Sequence, residues 1–217
     1  MLEKIFPKYF LSKAERKNLN HYLSKKHLID PFLELVEMET HLPVLHQIKQ
    51  NNILKYQQKH HYHIFVETGT YLGDMLEAQR RHFDKLISVE LSKELYEKAL
   101  LRFEKYPHIQ ILLGDSGKVL KKVLSEIQQP ALFWLDGHYS SGITAKSDKN
   151  TPIVEELILI FQSSLPHGIL VDDARLFTGK EDYPSIPEVC DLVRQYTPER
   201  TLEVADDIIR IMPGSGA

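Results

Sequence analysis

From residue 62 onward the chain alternates short, almost wholly apolar runs with longer amphipathic stretches. The runs are His63 to Glu67, Leu86 to Glu90, Ile109 to Leu113, Ala131 to Asp136 and Ile169 to Asp172. Apolar runs of this length, separated by helical stretches, suit strands buried on both faces, as in a parallel sheet covered by helices. The intervening stretches, Asp74 to Phe83, Ser92 to Lys105, Ser116 to Ile127 and Pro152 to Ser164, carry helical periodicity. Ser92 suits an N-cap, and Thr151 before Pro152 suits a cap with proline in the first turn. Thr201 to Val204 and Ile208 to Met212 flank Ala205-Asp206-Asp207, the pattern of a closing antiparallel hairpin.

Residues 1–59 have a different texture and read as an N-terminal helical cap, with the α/β unit over 60–213. Leu11, Leu19, Tyr22 and Leu23 share one helix face; Phe32, Leu33, Leu35 and Val36 follow Pro31; Val44, Leu45, Ile48 and Leu54 follow Pro43. None of these segments shows evident chemistry.

Composition narrows the function classes. The 217 residues are 42% hydrophobic and 26% charged, values of an ordinary globular chain. A formal charge of -3 disfavours non-specific binding to nucleic acid. Cys190 is the single cysteine, so no intrachain disulfide forms and a cysteine-built zinc site is not expected. The start, Met1 to Phe10, lacks an apolar run of signal-peptide length, and no stretch reaches a bilayer-spanning length. A cytoplasmic protein without a membrane partner is the expectation, with a homodimer as an open option.

The chemistry gathers at the strand ends. Glu67, Glu90, Asp136 and Asp172 each close a strand, and Asp115 stands just past the third. In an open parallel sheet these ends line one edge, where ligands bind at the topological switch point. Acids also favour the N-termini of the helices that follow, which accounts for some of them without a ligand. After the first strand comes Val66-Glu67-Thr68-Gly69-Thr70-Tyr71-Leu72-Gly73-Asp74. Gly69 allows close backbone approach, and Gly73 a tight helix entry. The G-x-G-x-x-G spacing of a dinucleotide loop is absent, and a carboxylate at Glu67 suits a ligand bearing an ammonium group.

This segment resembles the first motif of class I S-adenosylmethionine-dependent methyltransferases, E/D-x-G-x-G-x-G. Glu67, Gly69 and Gly73 match, while Tyr71 stands where the middle glycine belongs. The loop is similar to that of the macrocin O-methyltransferase and cephalosporin hydroxylase-like branch. The resemblance covers about residues 62–212 and implies a Rossmann-like α/β sandwich with a mostly parallel seven-stranded sheet. It also implies S-adenosylmethionine as cofactor, contacted by Glu67, Thr68, Gly69, Thr70, Gly73, Glu90, Leu91, Asp115, Ser116 and Asp136. Glu90 takes the place of the acid that binds the ribose hydroxyls, and Asp115 that of the acid near the adenine amino group. Asp115 reads equally as a helix N-cap.

Trp134-Leu135-Asp136-Gly137-His138 and Leu170-Val171-Asp172-Asp173 resemble the magnesium-binding segments of the macrocin-type enzymes. Carried over, the metal ligands are Asp136, Asp172 and Asp173. Three carboxylates in one cleft need a hard cation, protons or a basic partner. His138 stands where the family has an acidic general base, and imidazole can take that proton; a substrate-binding or surface position fits it as well. Asp136 and His138 are therefore the candidate catalytic pair. Arg175 is placed to offset the aspartates, to grip an anionic substrate group or to form a surface ion pair.

The leading expectation is metal-assisted O-methylation of a small hydroxylated molecule. A metal-independent methyltransferase, a hydroxylase-like oxygenase and a scaffold that retains the fold without the reaction are the alternatives. The loops over 139–150 and 176–183 are expected to close over substrate. His60, His61 and His63 precede the first strand, away from the cleft, and read as a solvated turn.

Overall fold

The computed structural model describes residues 45–137 and 151–214. Its elements are α1 (His46–His60), β1 (Ile64–Thr68), α2 (Asp74–Gln79), β2 (Lys85–Glu90), α3 (Lys93–Phe103) and β3 (Ile109–Leu113). They continue with α4 (Ser116–Glu126), β4 (Ala131–Leu135), α5 (Ile153–Phe161), β5 (Gly168–Val171), α6 (Ile186–Tyr196), β6 (Thr201–Ala205) and β7 (Ile208–Met212). The seven strands form one sheet in the order β3-β2-β1-β4-β5-β7-β6. β1 to β5 run parallel, and β7 runs antiparallel to both β5 and β6. The expected mostly parallel sheet with a C-terminal hairpin is therefore what forms.

Alternate residues of each central strand feed opposite faces. Val66, Phe133 and Leu135 pack with Leu120, Val123, Leu157, Ile160, Val189 and Val193 from α4, α5 and α6. Phe65, Leu132, Trp134 and Leu170 pack with Ile53, Tyr56, Met75, Leu76, Ala99 and Phe103 from α1, α2 and α3. β1, β4 and β5 are buried along their whole length, which is why they read as unbroken apolar runs. Each large side chain so buried stabilises the fold by roughly 1.5–3 kcal/mol.

α1 occupies the position expected after Pro43, but with a different inward face. Asn52, Ile53 and Tyr56 are buried, whereas Ile48 is exposed. The cause lies on β7, where Arg210 is buried and needs polar partners. Asn52 Oδ1 accepts from Arg210 Nη2 at 2.8 Å, and Asn52 Nδ2 donates to Asp206 Oδ2 at 3.2 Å. The helical segments expected before residue 45 lie outside the described residues.

α6 was not among the elements expected from periodicity. Its start is a capping box: Ser185 Oγ accepts the Glu188 N–H at 3.4 Å and Glu188 Oε2 accepts the Ser185 N–H at 2.7 Å, with proline in the first turn. At the hairpin, Asp206 and Asp207 both have positive φ, 54° and 57°, as a tight two-residue turn demands. Among the described residues no helix is long and apolar enough to cross a membrane.

Candidate active site

The strand order reverses at β1, which lies between β2 and β4. The following helices pass to opposite faces there, leaving a crevice at the carboxyl ends of the strands. Gly69 has φ +86°, and a side chain at that position would strike the backbone carbonyl of Asp136, so both the turn and the space require glycine. The close approach is thus between the loop after β1 and the end of β4. Gly73 starts α2 at φ +81°, and a Cβ there would meet the Phe103 ring at 2.7 Å.

Glu90 ends β2 with both oxygens oriented by backbone. Oε2 accepts from the Tyr71 N–H and Oε1 from the Ser92 N–H, each at 2.8 Å. Each oxygen keeps a further acceptor position for a ligand hydroxyl. The exposed side chains of Tyr71, Leu72 and Leu91 supply apolar surface in the flanking segments. Asp115 caps α4, its Oδ1 accepting the Gly117 N–H at 3.0 Å, and Ser116 beside it is buried.

Glu67 is only 2% exposed. It accepts from Ser88 Oγ at 2.6 Å, and Ser88 in turn pairs with Thr70 Oγ1 at 2.6 Å. Burial pushes the Glu67 carboxyl well above the usual range, against the Ser88 hydrogen bond and with help from Asp136 and Glu90. The carboxyl expected to meet an ammonium group is thus buried and biased towards its protonated form. Thr68 is fully buried beside it in the chain. Glu156 on α5 is a second buried acid, raised to about 7 by burial and partly restrained by the hydroxyls of Ser116 and Thr68.

The ends of β4 and β5 bring Asp136, Asp172 and Asp173 together. One carboxylate oxygen from each lies within 4.8 Å of the others, and this is the only such acid or histidine group among the described residues. Asp173 adopts φ 56°, and Asp172 Oδ1 accepts its N–H at 2.8 Å, so the two adjacent acids turn to one site. Carboxylate oxygens are the donor type that magnesium and manganese take, but with bonds near about 2.1 Å the ligand oxygens stand at most about 4.2 Å apart, so the cluster would have to draw in to hold such an ion.

Two cations of the chain already face this cluster. Lys49 Nζ of α1 lies 2.6 Å from Asp172 Oδ2 and 3.0 Å from Asp173 Oδ1. Arg175 Nη1 lies 2.8 Å from Asp173 Oδ1 and also pairs with Asp207 of the hairpin turn. Burial alone would lower the Lys49 ammonium; Asp172, Asp173 and Asp136 reverse this and hold it above its ordinary range. Burial, with Asp136 and Asp173, likewise pushes Asp172 up. Acids outnumber cations here, so Lys49 and Asp172 are both biased towards keeping their protons.

Tyr183 stands close enough to feel Asp173 and Asp136 and hydrogen-bonds the Thr151 hydroxyl. Burial first, then these aspartates, push its phenol up. Lys49, Tyr183 and Glu156 were not singled out from sequence; a lone lysine on a helix carries no signal of its distant partners. His138 and the segment 139–150 lie outside the described residues. His60 is the last residue of α1 and stacks between the Tyr56 and Tyr62 rings rather than lying in the solvated turn expected, while His63 pairs with exposed Asp84.

No protein-family model and no curated protein matches the chain in sequence. Solved structures do match its fold. An O-methyltransferase from Bacillus cereus in complex with SAH aligns over 90% of this chain and 97% of its own, at 14% identity and TM-score 0.56. The O-methyltransferase TomG from Streptomyces achromogenes, in complex with SAM, aligns over 95% and 100%, at 14% identity and TM-score 0.54. The SAH-bound Podospora anserina methyltransferase PaMTH1 aligns over 94% and 97%, at 17% identity and TM-score 0.52. The chain therefore has the Rossmann-like fold of class I methyltransferases.

Proposed function

We propose that the protein is an S-adenosylmethionine-dependent methyltransferase that methylates oxygen on a small hydroxylated molecule, in the manner of the macrocin-type branch. The observation that carries the reading is the division of one sheet edge into two halves. A backbone-oriented Glu90 with exposed apolar neighbours lies beyond β2, and an aspartate cluster lies beyond β4 and β5. The first half suits a nucleoside with ribose hydroxyls; the second suits a polar acceptor. Cytoplasmic location, a small-molecule rather than nucleic-acid partner and a possible homodimer belong to the same proposal.

Bound S-adenosylmethionine would supply an electrophilic methyl group to the acceptor oxygen and leave as S-adenosylhomocysteine. Glu90 would accept ribose hydroxyls, and Asp115 with Ser116 would face the adenine. Asp136, Asp172 and Asp173 would hold the acceptor hydroxyl, and could hold a magnesium ion that lowers its pKa. His138 is the proposed base that takes the acceptor proton. Alignment of the oxygen with the methyl group is the main contribution of the chain, and positioning supplies much of a rate.

A second reading, methyl transfer without a metal, is favoured by the two ion pairs of Lys49, which give the aspartates a cation from the chain itself.

Calorimetric titration with S-adenosylmethionine, with and without magnesium and with NAD as control, tests the proposal. Binding that is lost in Glu90→Ala supports it and justifies a screen of hydroxylated acceptors. Absence of binding by the folded wild-type protein in both conditions removes the methyltransferase reading and leaves a scaffold with this fold.

A further inference from the structure

We propose that Lys49 is a tethered cation standing in the place of a divalent metal at the Asp136–Asp172–Asp173 cluster, so that a metal binds only by displacing it. The inference rests on reading this cluster as the acceptor-side cation site.

The argument is an accounting of oxygens. Asp172 Oδ1 is taken by the Asp173 N–H and Oδ2 by the Lys49 ammonium. Asp173 Oδ1 receives both Lys49 at 3.0 Å and Arg175 at 2.8 Å. An ion bound to all three acids would meet the Lys49 charge at contact distance, where two positive charges in a partly buried site repel strongly. The Lys49 side chain is only 12% exposed, so little water screens that repulsion.

The position of Lys49 is fixed by the fold rather than by a flexible tail. One turn further along α1, Asn52 is held by Arg210 and Asp206, while Ile53 and Tyr56 enter the core beneath the sheet. The backbone of α1 cannot withdraw without opening that core. The lysine stem has rotatable bonds, however, and its ammonium can swing aside alone. The helix thus delivers a charge across 123 residues of sequence to a site built by β4 and β5. This gives the otherwise chemically silent α1 a role: the three acids stay together, ready for an acceptor, in the absence of any metal.

The test uses manganese as the probe, titrated into the full-length protein and followed by the electron paramagnetic resonance of the free ion. Wild type and Lys49→Arg should bind only weakly, in the millimolar range, and Lys49→Gln should bind at least about tenfold more tightly, because one repelling charge is gone. Circular dichroism establishes that the variants are folded. A second measurement needs no variant: acylation of Lys49, read by mass spectrometry, should rise when manganese saturates the wild-type protein. Equal affinity of wild type and Lys49→Gln, no binding by either, or metal binding with unchanged Lys49 acylation would each overturn the proposal. Neither readout involves S-adenosylmethionine, so failure to bind that cofactor would remove the proposed function without deciding this point.

Discussion

The backbone N–H of Tyr71 donates to Glu90 Oε2 at 2.8 Å, and Tyr71 does so from φ 49°, a conformation that glycine adopts more readily. The chain has thus kept the left-handed turn of the loop while replacing the middle glycine of the motif. Tyr71→Gly should relieve about 1 kcal/mol of backbone strain and lose a similar amount to chain entropy. Its melting temperature should stay close to wild type. Tyr71→Val should lose roughly 1–2 kcal/mol, because a β-branched residue resists this turn. Chemical denaturation of the two variants side by side checks the ordering; equal stability would show that the turn relaxes freely.

Gly69 and Gly117 offer a sharper contrast, since both become alanine at the cost of one methyl group. At Gly69 the methyl meets the Asp136 carbonyl and φ is +86°, so Gly69→Ala should destabilise by more than about 2 kcal/mol. At Gly117, in the first turn of α4, a Cβ would come no closer than 3.4 Å to a neighbouring atom, Asp115 Oδ1. Gly117→Ala should raise stability by a fraction of the roughly 1 kcal/mol that the same change gives in a helix interior. Denaturant midpoints distinguish the two, and a tolerated Gly69→Ala would mean that β1 and β4 separate more easily than their packing implies.

What the sequence disclosed follows from the range of the forces involved. β1, β4 and β5 were legible because burial on both faces leaves an unbroken apolar run, and the acids at their ends needed only chain order to be placed on one edge. α6 was missed although Ser185 and Glu188 spell its capping box. The inward face of α1 was misplaced because Ile48 and Leu54 looked apolar, whereas burial of Arg210 selected Asn52. Lys49 was illegible for the same reason: its partners are brought to it by the fold, and no local pattern records them.

Burial outweighs the Ser88 hydrogen bond at Glu67 and biases its carboxyl towards the protonated form. Glu67→Gln replaces a carboxyl biased towards its neutral form by a neutral amide of similar shape. Stability at pH 7 should change by less than about 1 kcal/mol, and cofactor affinity by less than about threefold. A large loss of affinity with stability intact would show instead that Glu67 ionises to meet an ammonium group on the ligand.

His167 and Glu156 give the stability curve opposite slopes. Fully buried at the start of β5, His167 accepts the Ala131 N–H at Nδ1, 3.0 Å away, and pairs through Nε2 with Ser163 Oγ at 3.0 Å. Protonating Nδ1 would break the first bond and place a charge out of water; burial, with Arg200 nearby, lowers its pKa to about 4. The folded pKa lies below the unfolded one, so this stabilisation is complete above pH 6.5 and is lost as pH falls towards 4. Glu156 is the converse: its folded pKa is raised from 4.5 to about 7, so stability is lost as pH rises through that interval. Each shift corresponds to about 3 kcal/mol across its window. Relative to wild type, Glu156→Gln should gain stability progressively between pH 4.5 and 7, and His167→Gln should gain between pH 6.5 and 4, whatever constant offset each substitution adds. Urea unfolding at half-unit pH intervals measures both difference curves. Parallel curves for wild type and either variant would mean that the acid or the imidazole titrates in the folded protein as it does in water.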